Sequence, residues 1–245
     1  MKESIFEVEL NEKIAPRTYR IKLKGDTSAI EGSGQFVQVS LPGFFLRRPI
    51  SIHEYDGQTL TFIYRVVGEG TRMMCSLQCG DTLSIITGLG KCFDIDACRK
   101  DALLIGGGVG AAPLYELCKE LCAQGKNVTV ILGFNRKDEI MLAEDFSDLG
   151  AKVIITTVDG SEGTKGFVTD ALSLHNINYD YFYTCGPRVM MKAVCERIHT
   201  GGEVSMEERM GCGFGICYGC TCNTTKGPQR VCKDGPVFKK EEVIW

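Results

Sequence analysis

Ala102-Leu-Leu-Ile-Gly-Gly-Gly-Val-Gly-Ala-Ala-Pro113 is the stretch on which the reading of the fold rests. It opens on an apolar run of the kind shown by a strand buried on both faces. The run ends in a glycine-rich turn, and the residues after it have a helical period. Leu114, Leu117, Cys118, Leu121 and Cys122 share one face over Pro113–Ala123, and Pro113 suits the first helical position. A buried strand that turns into a helix predicts a crossover and therefore a parallel sheet. Glycines at such a turn let the backbone approach a pyrophosphate with the helix dipole behind it, which makes Gly107, Gly108 and Gly110 candidate nucleotide contacts. A bare packing turn is the alternative. Gly133-Phe-Asn-Arg136 ends the next strand where a Rossmann dehydrogenase would place an acidic ribose acceptor, so that template fits poorly. Arg136 and Lys137 are either solvated or placed to meet a 2′-phosphate.

Toward the C-terminus the alternation continues. Val128–Leu132, Val153–Thr157 and Tyr181–Thr184 read as further buried strands and Met190–Ile198 as a helix, so residues 99–203 are expected to form an α/β nucleotide-binding domain. Cys185-Gly186-Pro187 follows the last of these strands, at the edge where open α/β sheets bind ligands. Cys185 and Gly186 are therefore candidates to face a nicotinamide ring; a tight turn after a buried strand is the alternative. Toward the N-terminus the pattern changes. Thr18–Lys24 alternates, and Gln35–Leu41, Pro49–His53, Leu60–Val67 and Thr82–Ile86 are short β-rich runs punctuated by Gly and Pro. One short helix, Thr71–Leu77, interrupts them, and residues 1–98 are expected to close into an antiparallel β-barrel. Within it, Arg47-Arg-Pro-Ile-Ser51 offers a fixed cation for a diphosphate and a hydroxyl for a flavin ring, and Gly68-Glu-Gly-Thr71 opens the short helix as a phosphate cradle. Each piece alone reads as a solvated face or a capped turn; their order favours a flavin.

The last segment, 204–245, has little regular periodicity and holds five of the thirteen cysteines. Cys212-Gly-Phe-Gly-Ile-Cys217-Tyr-Gly-Cys220, followed by Cys232, has the C-x4-C-x2-C…C spacing of plant-type [2Fe-2S] proteins. Thiolates from one tight loop reach two irons, and a fourth closes the cluster from elsewhere. Structural zinc favours paired short spacings, whereas only one C-x2-C is present here. Zinc and uncoordinated thiols are the alternatives. Cys222 reads as a small packed residue. Ser205-Met-Glu-Glu208 has the capping-box pattern and predicts a short helix ending at Gly211.

Composition narrows the function classes. With 28 basic and 31 acidic residues in 245, the net charge is −3, and a nucleic-acid surface is not expected. No apolar stretch is long enough to span a membrane, and Met1-Lys-Glu-Ser4 lacks the core of a signal peptide, so a cytoplasmic chain is expected. In that setting the cysteines read as thiols or metal ligands rather than a disulfide frame. His53, His175 and His199 are dispersed and form no metal or catalytic spacing.

Taken in order, Arg48-Pro-Ile-Ser51, Gly70-Thr71, the Gly106–Pro113 turn, Cys185-Gly-Pro187 and the cysteine loop resemble the ferredoxin–NADP reductase superfamily. Ser205–Cys220 and Arg230-Val-Cys-Lys-Asp-Gly-Pro-Val-Phe238 resemble the signature stretches of the dihydroorotate dehydrogenase B electron-transfer subunits. Arg47–Ile52 and Asp159–Phe167 look familiar from the same family, and the resemblance spans essentially the whole chain. It implies a flavin barrel, an NAD-binding domain and a C-terminal [2Fe-2S] domain. It also implies FAD contacts at Arg48, Pro49, Ile50, Ser51, Ile63, Tyr64, Arg65, Gly70 and Thr71, and cluster ligands at Cys212, Cys217, Cys220 and Cys232. It implies as partner an FMN-containing catalytic subunit that oxidises dihydroorotate, in a two-plus-two heterotetramer, with electrons passing through cluster and FAD to NAD⁺ in pyrimidine biosynthesis. The alternative is the flavin and iron–sulfur subunit of a sulfide dehydrogenase or of an NADH-dependent ferredoxin:NADP oxidoreductase complex. Lys91-Cys92 departs from the family pattern, standing where a small Asn-Gly pair is expected.

Overall fold

A computed structural model describes residues 1–245. Six strands make the N-terminal part: β1 (Lys2–Ala15), β2 (Thr18–Lys24), β3 (Phe36–Val39), β4 (Arg48–Tyr55), β5 (Thr59–Arg65) and β6 (Thr82–Leu89), with helix α1 (Glu69–Met74) before the last. They close an antiparallel barrel in the order β1-β2-β5-β4-β3-β6, sealed by the β1–β6 pairing that sets Glu3 opposite Ile86. Alternation does the sorting. Ile21 and Leu23 of β2, Val37 and Val39 of β3 and Phe62 of β5 point inward to one core, each fully buried aliphatic or aromatic contributing roughly 1.5–3 kcal/mol. The outward residues of β3, Phe36 and Gln38, are buried as well, beneath the C-terminal segment.

The second part is a seven-stranded sheet. Its strands are β7 (Asp101–Gly107), β8 (Asn127–Phe134), β9 (Lys152–Thr157), β10 (Thr164–Lys165), β11 (Tyr181–Cys185), β12 (Gly202–Ser205) and, from the chain's tail, β15 (Val237–Lys239). Helices α2 (Leu114–Ala123), α3 (Ala143–Asp148), α4 (Val168–Leu174) and α5 (Arg188–Arg197) connect them. The order is β10-β9-β8-β7-β11-β12-β15, parallel except for the antiparallel edge β12–β15. From β7 the chain winds outward through β8 and β9, then returns to β11 on the other side of β7. A crevice must open between the ends of β7 and β11, where Gly106 pairs with Cys185. The glycine turn and Cys185-Gly-Pro187 therefore meet there.

Between β12 and β15 the chain forms the cysteine loop, the hairpin β13 (Thr221–Thr224) with β14 (Gly227–Arg230), and the single turn α6 (Val231–Asp234). The helix expected over Ser205–Gly211 is absent. Ser205 is 2% exposed in β12, its backbone committed to Cys185 on one side and Val237 on the other, and Met206 N–H donates to Pro236 O. A residue whose backbone is held in two ladders does not cap a helix. Cys222 packs in the apolar cluster below the loop with Phe36, Met206 and Phe238. Lys91 also turns to this segment, its N–H donating to Gly235 O, whereas the Cys92 Sγ lies against Gly32 of the barrel part.

Candidate redox site

Two clefts meet at the junction of barrel, sheet and tail. The first, about 340 Å³, is lined on the barrel side by Arg48, Pro49, Ile50, Ser51, Ile63, Tyr64, Arg65 and Thr71, eight of the nine residues expected to contact a flavin. The ninth, Gly70, stands behind them, where a Cβ would lie 2.5 Å from Arg48 Nε; the missing side chain lets the guanidinium lie across the start of α1. Thr71 Oγ1 accepts from Val67 and Gly68 N–H, which fixes that turn. Tyr64 presents its ring while its hydroxyl donates to Asn11 Oδ1 at 3.0 Å, and burial pushes its ionisation well above the usual range. An anchored cation, an apolar wall and a turn held open by glycine suit a flavin dinucleotide. Val109, Ala112, Pro113, Met206, Glu207, Glu208, Met210 and Pro236 form the opposite wall. Of these, Met206, Glu207, Glu208, Met210 and Pro236 come from the tail, where the sequence pattern points to a helix cap at Ser205–Glu208 and not to a cleft wall.

The second cleft, about 530 Å³, runs along the C-terminal edge of the sheet past Gly107, Gly108, Val109, Gly110, Gly186 and Pro187. Its glycines divide by cause. A Cβ on Gly107 would lie 2.5 Å from Met190 Sδ, and one on Gly110 2.6 Å from Cys185 O and Gly186 Cα, so packing demands both. Gly108, at φ +54°, has no neighbour at its Cβ position and faces open space. Cys185 is not in the lining: it is fully buried, with burial pushing its thiol far up, and Gly186 and Pro187 present the surface instead. Glu139 does line the cleft, its carboxylate held by Asn135 Nδ2 at 2.8 Å. No acid stands at the end of β8 itself; a short 3-10 turn over Lys137–Glu139 brings this one back. Arg136 and Lys137 are instead paired with Asp138 and Glu162.

The two clefts share Arg65, Val109 and Glu207, so a ligand in one reaches a ligand in the other. Glu207 opens onto both clefts and is exposed at their rim, and the protein packed around its carboxyl pushes the pKa up.

Beyond Met210 the cysteines fall into two pairs. Cys212 N–H points to Cys217 Sγ at 3.4 Å, and Cys217 N–H to Cys212 Sγ at 3.5 Å. Cys232 N–H points to Cys220 Sγ at 3.4 Å. Ile216 and Gly219 add N–H donors to Cys212 and Cys217. Burial raises the Cys212 thiol, but the N–H groups of Cys217, Phe214 and Ile216 outweigh it and hold it at about 6. Gly213 (φ +80°) and Gly215 (φ +91°) give the loop the left-handed turns that aim those N–H groups inward. No three His, Cys, Asp or Glu side chains converge as on a single metal ion. Two thiol pairs ringed by backbone donors are the division a two-iron, four-cysteine cluster needs, and the residues present fit that group. No helix is long and apolar enough to cross a membrane.

Comparison with known proteins agrees with this geometry. Residues 207–244 match the iron–sulfur cluster binding domain of dihydroorotate dehydrogenase B, and 104–196 an oxidoreductase NAD-binding domain. The chain is 42% identical to the dihydroorotate dehydrogenase B (NAD(+)) electron transfer subunit of Fusobacterium nucleatum over 96% of each chain. It is 41% identical to that of a Geobacillus species over 100% of this chain and 99% of the relative. Among solved structures, an NADH-dependent reduced ferredoxin-NADP oxidoreductase superposes with TM-score 0.89 at 30% identity, over 98% of this chain and 90% of that one. A Neisseria gonorrhoeae ferredoxin NADP+ reductase with bound FAD and NADP shares the fold, with TM-score 0.69 at 18% identity over 80% and 90%. The chain belongs to the family of dihydroorotate dehydrogenase B electron transfer subunits.

Proposed function

We propose that this chain is the electron-transfer subunit of an NAD-linked dihydroorotate dehydrogenase. Its divisions 1–98, 99–203 and 204–245 then serve FAD, NAD and a [2Fe-2S] cluster. The observation that carries the reading is the shared wall of Arg65, Val109 and Glu207 between the two clefts, with the cysteine loop beginning two residues past Met210 of the flavin wall. When bound, the cluster carries single electrons and the flavin exchanges them for the hydride that NAD takes. The chain's own work is binding and positioning. Arg48 supplies a fixed cation for the flavin diphosphate, with Gly70 leaving room for it; Pro49, Ile50, Ser51, Ile63, Tyr64, Arg65 and Thr71 complete that site. Gly107, Gly108, Gly110 and Gly186 give the nicotinamide nucleotide a close backbone approach, with Cys185 as buried support beneath. Glu139 favours a ribose hydroxyl over a 2′-phosphate, hence NAD over NADP. Cys212, Cys217, Cys220 and Cys232 hold the irons, and the surrounding N–H groups stabilise added negative charge.

None of the three divisions is a ~250-residue barrel that could hold dihydroorotate. The matching partner is a separate FMN-containing catalytic subunit, in a two-plus-two heterotetramer in the cytoplasm. The reconstituted chain alone is expected to oxidise NADH with artificial acceptors and to leave dihydroorotate untouched; dihydroorotate turnover by the isolated chain would contradict the assignment. The 30% likeness to the NADH-dependent ferredoxin-NADP oxidoreductase supports a second reading, as the subunit of such a complex. Copurification with a larger flavoprotein in place of an FMN barrel subunit would favour it over the first, which the 41–42% full-length relatives support.

A further inference from the structure

The carboxamide of Gln38 has no use in the fold as it stands. Gln38 is fully buried, and neither its Nε2 nor its Oε1 has a hydrogen-bond partner. A buried amide left unpaired at both ends is costly, and a side chain of similar shape without polar atoms would pack as well. Its place in β3 explains the burial. Val37 and Val39 point into the barrel core, while Phe36 and Gln38 point outward, and Phe36 packs with Met206, Cys220 and Cys232 of the tail. Gln38 lies against the cysteine loop. A Cβ on Gly213 would overlap its Nε2 and sit 2.7 Å from its Cδ and 2.8 Å from its Cγ. Gly213 follows Cys212 directly, so the amide rests on the loop's first turn. It is not part of the flavin cleft wall, which its strand neighbours Phe36 and, across the ladder, Pro49 help to build.

We propose that Gln38 is a positioning residue whose amide N–H would serve the inorganic sulfur of the cluster held by the Cys212 loop, tying barrel to cluster and raising the cluster's reduction potential. The inference rests on the reading of that loop as a [2Fe-2S] site. Sulfur there only accepts, so the NH2 end is the one that serves it, and a donor to cluster sulfur stabilises the reduced, more negative state. Gly213 has a matching role. Its positive φ shapes the loop, and its missing side chain leaves the space the amide occupies.

The test is a redox titration of the full-length, cluster-loaded chain followed by electron paramagnetic resonance, with Gln38→Leu and Gln38→Glu beside the parent. Gln38→Leu is expected to shift the one-electron equilibrium toward the oxidised cluster by about tenfold, ~59 mV, and Gln38→Glu by more. The flavin potential and iron content should stay at parental values. An unchanged cluster potential at full iron content, or a shift confined to the flavin, would overturn the proposal. Should both variants lose iron, the parent grown with side-chain ¹⁵N-glutamine decides: hyperfine coupling of ¹⁵N to the reduced cluster supports the donor, and no coupling overturns it. A parent that never holds iron would instead overturn the cluster reading itself.

Discussion

The nucleotide turn at Gly106–Pro113 and the cysteine loop at Cys212–Cys220 are both glycine-rich, yet their glycines answer different demands. In the first, Gly106, Gly107 and Gly110 are packed against Ala111, Met190 and the Cys185–Gly186 backbone, at the end of a strand whose neighbours are fully buried. In the second, a Cβ on Gly211 or Gly219 would lie 3.2 or 3.5 Å from Cys217 Sγ, and Gly213 and Gly215 are needed for positive φ. Ile216 and Tyr218 there are 74% and 63% exposed. One turn is part of the core, and its ligand arrives at a finished surface. The other is organised around sulfur. A change in the first should therefore register as stability, and a change in the second as chemistry.

The largest expected effect is on the chemical side. Cys217→Ser should lower electron flow to the partner on the order of 10²-fold or more, leaving NADH oxidation with artificial acceptors intact. Thermal unfolding should hardly move; unfolding of the whole chain would erase the distinction between the turns. Gly110→Ala should do the reverse. Its Cβ would press on backbone atoms of Cys185 and Gly186 that cannot swing aside. A loss of about 1–3 kcal/mol in denaturant unfolding is expected, with iron content unchanged. Glu139→Gln tests the finished surface without touching its packing. Removing one negative charge should raise kcat/KM for NADP⁺ relative to NAD⁺ about tenfold, at constant stability.

The smallest effect concerns Glu116 of α2, which is 6% exposed and accepts from Tyr55 N–H of β4. Burial pushes its carboxyl up to about 7 from 4.5. A carboxyl whose folded pKa is raised favours the fold fully below 4.5, and that contribution is lost as pH rises through 7. His53 runs the other way: burial pushes it down to about 4 from 6.5, so its contribution is complete above 6.5 and lost as pH falls toward 4. The two windows overlap and oppose each other, so Glu116→Gln should remove the opposing loss and leave stability rising more steeply between pH 4.5 and 6.5, where His53 acts. An unaltered slope would mean that this carboxyl is ionised in the folded chain.

What could be read in the sequence was local. The Ala102–Ile105 run and the turn after it carry their meaning within a dozen residues, the four cysteines lie between positions 212 and 232, and the barrel strands alternate visibly. The long-range features could not be read this way. Ser205 has the local signature of a helix cap, but two strands distant in sequence claim its backbone. Glu139 misses the end of β8 and reaches the cleft only through a 3-10 turn. Gln38 looks like any outward polar residue of an alternating strand; only the folded tail buries it. Cys185 follows its strand as a ligand-facing residue should, but it is paired with Gly106 and Ser205 on its two sides and its side chain packs in the apolar core.

The most direct measurement is the iron, acid-labile sulfide and flavin content of the chain purified without air, read with its visible spectrum. Two irons, two sulfides and one FAD per chain are expected, with absorption from both chromophores and with iron lost selectively from Cys217→Ser. A colourless protein free of iron and flavin would contradict the account at its root.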